Sequence, residues 1–121
     1  MTSILIIDDD SRNIFALSAV LKARGYSIVS AANMVEAFGL LEEHNSVGII
    51  LLDMMMPGMD GYEAAAALKK DERYKDLPVI AVTAQAMTGD KEKILAAGAD
   101  AYLSKPVDVD ALLQLLNDYL K

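Results

Sequence analysis

The chain has 121 residues, enough for one domain of ordinary size and too few for two. Its composition is 54% apolar and 24% charged, which can build a core and argues against wholesale disorder. Lys and Arg total 11 and Asp and Glu total 18, so the net charge is −7, a balance that disfavours direct binding to nucleic acid or to an anionic membrane. Cys is absent and His44 is the one histidine, which excludes disulfides, thiolate chemistry, and zinc sites built on Cys or His clusters.

In chain order, short apolar runs alternate with longer helical-period segments. Ile4–Ile7 is the first run, and the segment Asn13–Arg24 follows with Ile14, Leu17, Val20 and Leu21 at helical spacing and Gly25 as a stop. Ser27–Ala31 is the second run, followed by a helix over Val35–Glu43. Gly48–Leu52 is the third, followed by the Ala-rich helix Tyr62–Lys70. Val79–Val82 precedes a helix over Gly89–Ala97, with Thr88 as its expected N-cap and Gly98 as its stop. Ala101–Leu103 precedes the last helix, Val109–Leu120, capped by Asp108, with Leu112, Leu113, Leu116 and Leu120 on its inner stripe.

The runs ILII, IILL and VIAV lack polar alternation, as expected of strands buried on both faces of a parallel sheet. Five strand–helix units predict an open α/β layer fold with right-handed crossovers. A closed eight-unit barrel would need roughly 200 residues or more. No run approaches the ~20 apolar residues of a membrane helix, and the start MTSILIIDDD has no basic n-region of a signal peptide. The expectation is a soluble, cytoplasmic protein that does not engage membranes.

Ligands of open α/β sheets bind beyond the carboxyl ends of the strands. After the first run come Asp8, Asp9 and Asp10; after the third, Asp53; after the fourth, Thr83; after the fifth, Lys105. Each alone has an ordinary structural reading: a capped helix start, a turn, a strand end, a surface lysine. Together they define one edge bearing carboxylates, a hydroxyl and an ammonium. Clustered carboxylates repel one another by several kcal/mol per close pair at an effective dielectric of about 20. Lys105 offsets one charge, and a divalent cation offsets two more. An all-oxygen ligand set suits Mg²⁺. A carboxylate in such a place can act as a nucleophile toward a phosphoryl group, with Mg²⁺, Lys105 and Thr83 neutralising the equatorial oxygens.

The segments ILIIDDDSRN, LLDMMMPGMDGYE, PVIAVTAQAM and AGADAYLSKP, in that order and spacing, strongly resemble the receiver domain of two-component response regulators, above all the receivers associated with hybrid sensor histidine kinases. The resemblance spans essentially the whole chain, 1–121, as a single receiver domain. It implies a flavodoxin-like (βα)5 doubly wound parallel sheet of strand order 2-1-3-4-5. It implies that Asp53 is the phosphoacceptor and that Mg²⁺ (or Mn²⁺) is held by Asp9 directly, by Asp8 mainly through water, by Asp53 and by the backbone carbonyl of Met55. It also implies that Thr83 binds a phosphoryl oxygen and that Lys105 pairs with the phosphoryl group. Tyr102 is then the aromatic that follows Thr83, and Ala84 the small residue that leaves the site open. Lys105-Pro106 is expected to be a cis peptide, and Gly61 to relax the loop beyond Asp53.

The implied partners are a sensor histidine kinase or histidine phosphotransfer protein as phosphodonor, and a downstream protein or effector domain. The implied state is a monomer or a phosphorylation-dependent dimer. Such a protein catalyses its own phosphorylation and dephosphorylation without being a turnover enzyme. Some positions depart from the family pattern. Met34 follows Asn33 where Asn-Gly is common, and Asp10 adds a third acid, read here as a helix cap. Met55 and Gln85 occupy positions that influence water access in the family. Met54–Met56 is read as core filling and loop covering, and His44 as exposed.

Three other readings are weaker. Asp8-x-Asp10 imitates the motif of haloacid-dehalogenase-like phosphatases, but Arg12 stands where that family wants Thr or Val, and that family needs a longer chain. Flavin binding on the same fold is disfavoured by acids where the phosphate would sit. A degenerate receiver serving only as a protein-binding scaffold is disfavoured by the complete acid–Thr–Lys set.

Overall fold

The computed structural model describes residues 2–43, 46–54, 61–83, 88–105 and 107–120, excepting the side chains of 88–91. Five strands alternate with five helices: β1 Ser3–Ile7, α1 Ser11–Ala23, β2 Ser27–Ala31, α2 Met34–Glu43, β3 Val47–Asp53, α3 Gly61–Lys70, β4 Val79–Thr83, α4 Thr88–Ala97, β5 Ala101–Ser104 and α5 Val109–Tyr119. All neighbouring strands are parallel, in the order β2-β1-β3-β4-β5. This is the flavodoxin-like (βα)5 arrangement expected from the sequence.

The unalternating runs lie where helices cover both faces of the sheet. β1 and β4 are buried throughout, and β3 nearly so. The outer strands β2 and β5 are partly exposed. Successive side chains of a strand point to opposite faces, and the core divides accordingly. Leu5, Ile7, Ile50 and Leu52 pack with α2, α3 and α4 through residues such as Leu41, Leu68 and Ile94. Ile4, Ile6, Ile49 and Leu51 pack with α1 and α5 through Leu21, Leu112 and Leu116.

Helix ends follow local chemistry. Asp10 caps α1 by accepting the Arg12 N–H at 2.9 Å, which starts the helix at Ser11, two residues before the expected Asn13. Asp108 caps α5 by accepting from the N–H groups of Asp110 and Ala111. Before α2, Asn33 accepts the Glu36 N–H while the Glu36 carboxylate accepts the Ala32 N–H, a reciprocal cap. Gly25 and Gly98 have φ of +91° and +122°, the left-handed conformation expected after a helix.

Two sequence expectations are corrected. Thr88 is the first residue of α4, not a cap preceding it. Gly61 is not a loop hinge; it is the buried first residue of α3, and a Cβ there would collide with the backbone and Sδ of Met54. Close approach requires this glycine. At the amino end of the sheet, Lys69 Nζ donates to the carbonyl of Leu77 at 2.9 Å and to Asp100 Oδ2 at 3.0 Å. Asp100 Oδ2 also accepts the Val79 N–H at 2.8 Å, so one ion pair ties α3 to the starts of β4 and β5.

Candidate functional site

The carboxyl ends of β1, β3, β4 and β5 bring the sequence candidates together. Asp8 follows β1 and is 3% exposed; Asp53 ends β3 at 4%; Thr83 ends β4 at 3%. These are three of the four buried polar residues among those described, the other being Ser3 at the far end of β1. β2 contributes no polar side chain here and is the edge strand on the side of β1 away from β3. Backbone bonds fix the rim: the Asp8 N–H donates to Ala31, the Met54 N–H to Val82, and the Lys105 N–H to Thr83.

Carboxylate oxygens of Asp8, Asp9 and Asp53 lie within 4.8 Å of one another, with Asp9 exposed and the other two buried. Lys105 Nζ sits 3.4 Å from Asp53 Oδ1 and 3.8 Å from Asp8 Oδ2. Asp8 Oδ1 accepts the Asp10 N–H at 2.9 Å, and Oδ2 faces the Asn13 side-chain amide at 3.4 Å. Burial pushes the Asp8 carboxyl above the usual carboxylate range; the Asp10 N–H pulls it back, the Asp53 charge adds to the rise, and Lys105 opposes it. Concentrated negative charge with the Lys105 ammonium beside it fits a hard divalent ion offered oxygen ligands.

Tyr102 pairs in register with Ala81, and Thr83 lies two residues further along β4. By strand alternation Tyr102 and Thr83 share the sheet face covered by α2, α3 and α4, where Tyr102 packs half-buried against the core. Met55, Asp60, Ala84, Gln85, Pro106 and His44 lie outside the described residues. Met54 is core, as expected, at 2% exposure. Asn13, which the sequence reading placed only as the start of α1, proves to face Asp8. Its signal was a polar residue ahead of an otherwise apolar stripe. Among the described residues no helix is long and apolar enough to cross a membrane.

A parallel α/β sheet with acids and a hydroxyl at the ends of its inner strands, and a lysine after the adjoining edge strand, is the framework of a receiver domain. The chain belongs to the response regulator receiver domain family, whose model matches residues 4–117. It is similar to the polar-differentiation response regulator DivK of Brucella anthropi, with 37% identity over 118 residues covering 98% of this chain and 95% of that one. Among solved structures, it is similar to the receiver domain of the sensor histidine kinase PA1611 from Pseudomonas aeruginosa, which has a magnesium ion coordinated in the active-site cleft. That likeness has a TM-score of 0.86 and 32% identity, covering 98% of this chain and 96% of that one. It is also similar to the Saccharomyces cerevisiae receiver domain of Ssk1, crystallised with the histidine phosphotransfer protein Ypd1. Here the TM-score is 0.88 and the identity 27%, covering 98% of this chain and 88% of that one.

Proposed function

We propose that this chain is a single receiver domain over residues 1–121 that accepts a phosphoryl group on Asp53 from a phosphohistidine of a sensor kinase or phosphotransfer protein. The observation that carries this reading is the placement of the buried Asp53 carboxylate at the end of a central strand, 3.4 Å from the Lys105 ammonium and within reach of Asp8 and Asp9. An Asp53 oxygen forms the new P–O bond as the P–N bond to the donor imidazole breaks, and the imidazole leaves with the electron pair and takes up a proton. Lys105 neutralises one phosphoryl oxygen and the Thr83 hydroxyl donates to another. Asp8, Asp9, Asp53 and the Met55 carbonyl are the residues that would hold Mg²⁺ or Mn²⁺. When bound, the ion supplies charge neutralisation at the phosphoryl oxygens.

The readout we propose is a local charge event converted into a surface change, with Thr83 drawn toward the phosphoryl group and Tyr102 following. Output then passes to a downstream protein or effector domain. The PA1611 cleft that holds magnesium and the Ypd1–Ssk1 complex support the metal and the class of phosphodonor. The domain promotes its own phosphoryl chemistry and is a signalling switch in the cytoplasm, not a turnover enzyme.

The test is incubation with Mg²⁺ and acetyl phosphate, read by intact mass, beside an Asp53→Asn control. One Mg²⁺-dependent phosphoryl adduct, absent in the control, is expected. Beryllofluoride serves as a stable mimic if turnover is fast. No response to either reagent would favour a protein-binding scaffold.

A further inference from the structure

We infer that Asn13 is a positioning residue for the metal site, orienting Asp8 through its side-chain amide; the inference rests on the reading of the acidic cluster as a divalent-cation site. Asp8 is nearly inaccessible, so its oxygens depend on protein donors. Oδ1 has the Asp10 N–H at 2.9 Å. Oδ2 has Asn13 Nδ2 at 3.4 Å and Lys105 Nζ at 3.8 Å. Lys105 lies nearer to Asp53, at 3.4 Å, so its ammonium is shared and leans away from Asp8. A group arriving on Asp53 would draw it further. Among the described residues, Asn13 is then the donor that remains on Oδ2.

The surroundings of Asn13 support the assignment. It borders a cavity of about 260 Å³ between α1 and the start of α5, lined by Asp8 and Lys105 and otherwise by apolar residues such as Leu17, Val20, Val82 and Val107. A half-buried amide on that wall has its polar partner in Asp8. The Asp10 cap fixes the first turn of α1, so the same short segment sends two donors to one carboxylate. Both are neutral. They fix the direction of the oxygens without cancelling the negative charge that a cation requires, which is how outer-shell hydrogen bonds act on metal-binding carboxylates.

The test compares Mg²⁺ binding by calorimetry, without phosphodonor, in the wild type, Asp9→Ala, Asn13→Leu, Asn13→Ala and Asn13→Gln, with metal-free melting of each. Asn13→Leu and Asn13→Ala remove the donor while keeping good helix formers on an apolar wall. They should melt like the wild type yet bind Mg²⁺ roughly tenfold more weakly, the lower end of outer-shell effects. Asn13→Gln, which restores an amide, should recover part of the loss. Wild-type affinity in either folded donorless variant overturns the inference. If the wild type binds and Asp9→Ala does not, that failure belongs to Asn13 alone. A wild type that binds no Mg²⁺ overturns the metal site and the inference with it.

Discussion

The Lys105 backbone N–H donates to the Thr83 carbonyl at 2.8 Å, joining the ends of the two strands that carry the ammonium and the hydroxyl of the site. The bond uses main-chain atoms, so it survives a change of side chain at Thr83. Thr83→Ala should therefore leave Lys105 in place and permit phosphorylation of Asp53, while removing the hydroxyl on which the proposed switch depends. Backbone amide shifts over Ala101–Ser104 on adding beryllofluoride should shrink relative to the wild type. Shifts of full size would remove Thr83 from the switch.

Asp8 carries a stability penalty of its own. Its carboxyl is held above the ordinary range, chiefly by burial. Folding thus favours the protonated form, a contribution complete below the ordinary aspartate pKa and lost as pH rises through the raised one. Asp8→Asn should raise the melting temperature at pH 7 in the absence of metal, and the gain should fade as the pH is lowered toward 3. Saturating Mg²⁺ should narrow or reverse the ranking, because a ligand at a hundredfold its Kd stabilises the wild type by about 2.7 kcal/mol. Equal melting of both proteins at pH 7 without metal would contradict the assigned penalty.

Two helical glycines should respond oppositely to alanine. At Gly61 a Cβ meets Met54, which is buried and cannot retreat, so Gly61→Ala should cost about 1–3 kcal/mol despite better helix propensity. At Gly39, inside α2, nothing lies within 4 Å of the added carbon, and Gly39→Ala should stabilise by roughly 0.5–1 kcal/mol. Urea unfolding of the pair measures both. A stabilised Gly61→Ala would show that Met54 yields.

The sheet was largely legible because its signals are local. ILII, IILL and VIAV have no polar alternation, and each strand they mark is buried on both faces. Asp10 and Asp108 were legible as caps for the same reason. The convergence of Asp8, Asp53, Thr83 and Lys105 followed from one rule about strand ends and from the family resemblance. What stayed hidden depends on distances between segments. Nothing in the order of residues says that Gly61 must pass against Met54, or that the Asn13 amide reaches Asp8 across a loop–helix junction. The Asn33–Glu36 cap is local too, but an Asn followed three residues on by Glu is also an ordinary polar turn, and only the paired hydrogen bonds distinguish the two.

The strand layer also partitions the protein thermodynamically. Leu68 of α3 and Leu116 of α5 are both fully buried, yet they belong to core clusters on opposite sides of the sheet. A void opened beneath one lies across the strand layer from a void opened beneath the other. Each Leu→Ala truncation should cost about 2–5 kcal/mol. Their double-mutant cycle should close with a coupling energy below about 0.5 kcal/mol. The five strands then act as an insulating wall, and damage on the α1–α5 side leaves packing on the side of α2, α3 and α4 at its original strength.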